Sequence, residues 1–197
     1  MILLDTVLAR VLPAAVVVPL DLIALALMTG GFHLDGLADS ADGLLGGGDR
    51  ERRLAVMHEP HVGAFAVVAI ALVLLVDAGA LVSAPSRTTA LWLAAVCARW
   101  AMAIAVWWLP SARADGLGAS LRATVRGPHV VAATLWVAAL ALPFGLPGVV
   151  ALVAAAAVTT VIGLRALRAL GGATGDVYGA VAEVAFASVL VAQVATA

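Results

Sequence analysis

Long apolar runs, each broken off by a short polar loop, restrict this 197-residue chain more than any other feature. They cover roughly residues 12–29, 63–84, 89–109, 129–142, 148–164 and 179–197. A helix that crosses a bilayer needs about 20 mostly apolar residues, with a range of about 17 to 25. Only 12% of the residues are charged, half of the roughly 25% typical of a soluble domain. That leaves too little polar surface to coat a globule, so the excess apolar surface must face lipid. The expected fold is all-α: a multi-pass membrane helical bundle of about six spans, forming one domain over residues 1–197. The fourth and fifth runs are short. Joined by Pro143-Phe144-Gly145-Leu146-Pro147, they read either as two crossings or as a re-entrant hairpin.

Charge distribution orients the bundle and excludes some functions. All basic residues are arginine. Arg50, Arg52, Arg53, Arg113, Arg122, Arg126, Arg165 and Arg168 fall in loops that share one side, whereas Arg10 and Arg87 fall on the other. The positive-inside bias makes the eight-arginine side cytoplasmic. A net charge of −1 without a dense basic face speaks against nucleic acid as a partner. The lone cysteine, Cys97, lies in an apolar run and reads as a small packing residue. Pro13, Pro19 and Asp21 interrupt the first run, which reads as a mature helix and not a cleaved signal.

The most informative segment is Gly30 to Gly43, GGFHLDGLADSADG. A helix there brings Asp35, Asp39 and Asp42 within an arc of about 60°. Three carboxylates on one stripe repel one another unless a cation lies among them. Magnesium suits such oxygen donors, usually through one or two carboxylates plus water and substrate phosphate. The plainer reading is a solvated helical face beside a membrane, but the intervening residues are small or apolar, which favours a metal site. His33, just before the stripe, reads equally as a phosphate contact or as a packing residue. Gly46-Gly47-Gly48 ends the helix, and Asp49-Arg50-Glu51-Arg52-Arg53 follows. These arginines read either as a salt-bridged helix start or as a phosphate clamp, with Arg53 a candidate.

A second acidic segment, GGATGDVYGAVAE, runs from Gly171 to Glu183. Thr174 is placed to cap a helix whose first turn contains Asp176. Helix-start electrostatics alone would explain Asp176. They do not explain Glu183, about 10 Å further along the same face. Ionisable groups inside spans are costly and generally serve function or find partners. Arg99 falls under the same rule, either as a structural partner for a carboxylate or facing an anionic substrate. Asp77, toward the opposite end of its span, is left outside the site.

The strings GGFHLDGLADSADGL, GGGDRERRLAVMHEPHVGAFAV and GGATGDVYGAVAE, with Ala98-Arg99-Trp100 between them, resemble the cobalamin synthase family (adenosylcobinamide-GDP ribazoletransferases). They occur in the family's order and, with the spans, cover most of the chain. Two departures stand out. Family members generally carry one more N-terminal membrane segment, with a Thr-Arg-x-Pro-type stretch, and this chain is expected to begin after it. Where the family has a basic residue, Asp-Ser and a second basic residue, this chain has His58-Glu59-Pro60-His61.

The resemblance implies an enzyme of the inner cell membrane, with its active face cytoplasmic, acting in the last steps of cobalamin biosynthesis. Its partners would be adenosylcobinamide-GDP, α-ribazole or α-ribazole 5′-phosphate, and membrane lipid; a homo-oligomer is compatible with it. The ribazole hydroxyl would attack the cobinamide-linked phosphorus and GMP would leave. Asp35, Asp39, Asp42 and Asp176 would be catalytic, the first three as Mg²⁺ ligands. His33, Arg53, Arg99, Thr174 and Glu183 would bind substrate. A lipid-head-group phosphotransferase using CDP-alcohols is a rival, but Asp35-Gly36 is followed by Leu37-Ala38-Asp39 and lacks the arginine of that pattern. A transporter or assembly subunit is another, disfavoured because the carboxylates gather on one side and no inverted repeat is evident.

Overall fold

The computed structural model describes residues 2–197 and, among them, ten α-helices and no strand. The helices are α1 (Ile2–Leu8), α2 (Ala14–Met28), α3 (Phe32–Leu45), α4 (Arg50–Val56) and α5 (Ala64–Ser83). They continue as α6 (Arg87–Trp108), α7 (Leu117–Thr124), α8 (Gly127–Ala141), α9 (Leu146–Leu170) and α10 (Gly175–Ala195). Five units are long and apolar enough to cross a bilayer: α5, α6, α8 with the turn after it (Gly127–Phe144), α9 and α10. The fourth and fifth runs thus reach spanning length. Helix α9 gains its extra turns by carrying Arg165 and Arg168 within the helix.

The interrupted element is the first one. Helix α2 has 15 residues and meets α3 at 89°, so the expected simple span over residues 12–29 is replaced by a bent pair. Gly30 and Gly31 form the corner at φ 62° and 71°, a left-handed conformation that glycine adopts without a Cβ penalty. The bend carries the aspartate helix back into the bundle.

Helix α10 is the centre, packed against α3, α5, α6 and α9. Small side chains make this possible. On α6, Ala94, Cys97, Ala98, Ala101 and Ala105 are fully buried, and such residues let membrane helices approach closely. Cys97 is therefore a packing residue, as its apolar setting suggests.

The arginine-rich end is held by side chains that seal helix C-termini. Arg50 donates from Nε to the Leu170 carbonyl at the end of α9 (2.8 Å) and from a terminal nitrogen to the Ala112 carbonyl (2.7 Å). Arg53 donates to the Gly43 and Leu44 carbonyls at the end of α3, both at 2.9 Å, and Arg165 adds a second bond to Leu44 at 2.7 Å. Arg122 reaches the Leu109 carbonyl after α6 at 3.2 Å. The last carbonyls of a helix lack intrahelical partners and carry the negative end of its dipole, so a guanidinium there is doubly favourable. Replacing Arg53 with Ala is expected to lower stability by roughly 1.5–3 kcal/mol for its charged hydrogen bonds. Thermal unfolding in detergent would measure this.

Candidate active site

Each element of the site has a local cause. Helix α3 begins after the glycine corner and stops at the Gly46–Gly48 loop, where Gly47 and Gly48 take φ 83° and 94°. Helix α10 begins at Thr174, whose hydroxyl accepts from the Val177 N–H (3.4 Å) and donates to the Asp176 carboxylate (3.0 Å). The expected cap is thus present, and it also orients Asp176. Glycine sets the spacing between the two helices: a Cβ on Gly36 would stand 2.8 Å from the Asp176 carbonyl oxygen. The loop after α6 is stitched to the α9–α10 loop by Ala112 N–H to the Ala173 carbonyl and Ala173 N–H to the Pro110 carbonyl, both 2.9 Å.

These contacts enclose a cavity of about 520 Å³ bordered by Asp35, His33, His58, Arg113, Asp176 and Tyr178, among others. Asp39 lies close enough for the charges of Asp176, Asp35 and Asp42 to act on it, with His58 acting in the opposite sense. Carboxylates from the first and last informative segments of the sequence therefore share one neighbourhood. Asp35 is exposed and Asp39 half-buried, and neither accepts a hydrogen bond from a described residue.

Asp42 is placed differently. Its two oxygens accept from the Gly63 N–H (2.7 Å) and the Ala66 N–H (3.0 Å), so it caps α5 and ties that helix to α3. Arg53 does not border the cavity; its guanidinium is occupied with the α3 carbonyls. His33 does border it, with Nδ1 3.9 Å from the Glu183 carboxylate. The charges of Arg99 and Glu183 act on each other, and that of Arg99 also acts on His33. Of these three only His33 borders the cavity; Glu183 is half-buried beside it, and Arg99 is exposed on α6. Asp77 is buried in α5 within electrostatic reach of Glu183 and does not border the cavity.

The sequence reading missed the opposite wall. Arg113 donates to the His58 ring (2.9 Å) and to the Leu54 carbonyl (2.8 Å), closing α4 over the cavity. Asp115, Gly116 and Gly118 line the same side. The polar interval from Pro110 to Gly118 between two spans was the available signal.

Among the described residues, no group of three or more His, Cys, Asp or Glu side chains could hold a metal ion as they stand. Magnesium does not need such a cage, because one or two carboxylates with water and substrate phosphates suffice. Asp35 and Asp39 are hard oxygen donors free of hydrogen bonds, and they fit that requirement.

Spanning helices around a polar, carboxylate-bordered cavity at one end of the bundle define a polytopic membrane protein with an enzyme-like site. Residues 1–194 match the family described as cobalamin-5-phosphate synthase. The chain is similar to the adenosylcobinamide-GDP ribazoletransferase of Pseudomonas paraeruginosa, 43% identical over 84% of this chain and 69% of that protein. The namesake proteins of Desulforamulus reducens and Roseiflexus sp. are each 38% identical over 83% of this chain, covering 67% and 62% of their own lengths. No solved structure matches. The chain belongs to the cobalamin-5-phosphate synthase family and is a membrane transferase of cobalamin biosynthesis. It spans about two thirds of the length of these curated relatives.

Proposed function

We propose that the cavity carries out Mg²⁺-dependent transfer of the cobinamide phosphate from adenosylcobinamide-GDP to α-ribazole or its 5′-phosphate, at the cytoplasmic face of the cell membrane. The observation that carries this reading is the convergence of Asp35 and Asp176 on one cavity with Asp39 beside them. The reaction forms a bond between the ribazole oxygen and the cobinamide-linked phosphorus. It breaks the bond to GMP, which leaves with its phosphate.

Asp35 and Asp39 are the residues that would hold the metal. When bound, Mg²⁺ would neutralise the charge on the diphosphate and on departing GMP. Asp176, oriented by Thr174, would accept the proton of the attacking hydroxyl. Arg113 on the rim, steadied by His58, would supply donors for phosphate oxygens. His33 on the cavity wall would contact the substrate, with Glu183 beside it and the charge of Arg99 within reach of both. Asp42 and Arg53 act by holding α3 in position. The eight arginines at this end support a cytoplasmic orientation, and the exposed apolar flanks of α5, α8 and α9 suit contact with lipid.

The test is GMP release from adenosylcobinamide-GDP by lipid-reconstituted protein. Release is expected with Mg²⁺, to stop on chelation and to return when Mg²⁺ is restored. Equal release after chelation would remove the metal from the mechanism. No release from the wild type would remove the proposed reaction.

A further inference from the structure

A second cleft opens at the other end of the aspartate row. It encloses about 550 Å³ and is bordered by the Gly46–Gly48 loop, Arg52, Glu59, His61 and Phe65, with Asp42 at its edge. The two clefts share α3: Asp35 borders the first, Asp42 the second, and the charges of both act on Asp39. Residues 58–61 form the partition, with His58 facing the first cleft and Glu59 and His61 the second.

The second cleft carries two carboxylates, Asp42 and Glu59, against one arginine, but both carboxylates are engaged and unengaged donors remain for an anion. The Asp42 carboxylate is already engaged by two backbone N–H groups of the α5 start, and Glu59 is paired with Arg52 at 3.2 Å. The Gly47 and Gly48 amides donate to no described residue; they follow the step from Gly46 in αR to Gly47 at φ 83°, and successive amides at such a reversal of hand form an anion-binding concavity. His61 is exposed beside them, and Phe65 and Val62 present exposed apolar surface at the same rim. Donors next to an aromatic face suit a phosphate attached to a flat heterocycle.

We propose that this cleft binds the nucleoside 5′-monophosphate portion of a substrate. The proposal rests on the phosphoryl-transfer reading of the first cavity. In such a transfer the attacking and leaving oxygens lie roughly in line on opposite sides of phosphorus. Both the incoming ribazole and the departing GMP carry a nucleoside, so the reaction needs two bays flanking one metal-binding row. Two clefts on either side of Asp39 provide them.

The shared chemistry has two sources, the GMP half of the activated substrate and the ribazole 5′-phosphate, and the experiment separates them. Binding of GMP and of α-ribazole 5′-phosphate would be measured separately on wild-type protein in lipid nanodiscs and on the Arg52→Ala/His61→Ala double variant. KM and kcat would be measured for both substrates on the same preparations. Affinity for one nucleotide is expected to fall about tenfold or more in the variant, with a matching rise in KM for the substrate containing it and little change in kcat. Loss in the GMP arm assigns the cleft to the leaving group, and loss in the ribazole arm assigns it to the acceptor.

Affinities for both nucleotides within about twofold of wild type would overturn the proposal. Both residues are exposed and the Arg52–Glu59 pair lies at the surface, where such pairs contribute little stability. His61→Ala alone provides a second variant that leaves that pair intact. Because binding is read without turnover, failure of the cleft is distinguishable from failure of the proposed reaction, which would appear as absent GMP release by the wild type.

Discussion

Asp39→Asn is expected to lower GMP release by about a thousandfold or more, equivalent to roughly 4 kcal/mol of transition-state stabilisation, while leaving the protein in the membrane. The reason is position. Asp39 is the carboxylate on which the charges of Asp35, Asp42 and Asp176 all act, so it lies where the proposed ion has most negative charge to neutralise. The same crowding gives the prediction a second arm. Without the ion, like charges in a half-buried setting oppose folding, and asparagine removes one of them at nearly constant shape. The variant should therefore unfold at the same temperature as the wild type or higher, the pattern of a residue kept for function at a cost in stability. Single-turnover GMP release and thermal unfolding in detergent measure the two arms. Activity within about tenfold of wild type, only about 1.4 kcal/mol, would exclude Asp39 as a ligand.

Gly36→Ala should have the next largest effect, by a different route. The added Cβ would face the Asp176 backbone, 2.8 Å from its oxygen and 3.1 Å from its Cα, and backbone at the start of a buried helix cannot swing aside. Helices α3 and α10 would have to separate, carrying Asp35 and Asp39 away from Asp176. A misplacement of about 1 Å can cost roughly a hundredfold in rate, so loss of activity of that order is expected together with a lower unfolding temperature. Two glycines calibrate the result. At Gly179 the added atom would meet the His33 backbone at a milder 3.3 Å, and at Gly79 it would meet nothing within 4 Å. The expected order of damage is Gly36→Ala, then Gly179→Ala, then Gly79→Ala with little change. Equal activity in all three would show that the spacing of α3 and α10 does not control the site.

Much of this was readable in one dimension, because apolar periodicity, helix breaks and caps act over a few residues. The aspartate stripe, the glycine stop at Gly46–Gly48 and the Thr174 cap all have local causes, and each lies where the sequence places it. The division of labour within the stripe was not readable. Asp39 and Asp42 are alike in sequence, yet Asp42 is bound by the start of α5, more than twenty residues further along the chain. The arginines give a similar lesson. A run such as Arg50 to Arg53 next to glycines suits phosphate or helix carbonyls equally well. Only the arrival of the α9 and α3 C-termini directs Arg50 and Arg53 to carbonyls.

By itself the sequence determined a membrane bundle, its arginine-rich end and the carboxylates available to a site, since hydrophobicity, charge and helical spacing are properties of short segments. The tertiary structure decided which carboxylates meet at one cavity, which cap a helix instead, and that the aspartate row runs between two clefts. Those outcomes depend on the corner at Gly30–Gly31 and the close approach at Gly36, where contacts between distant segments fix the distances.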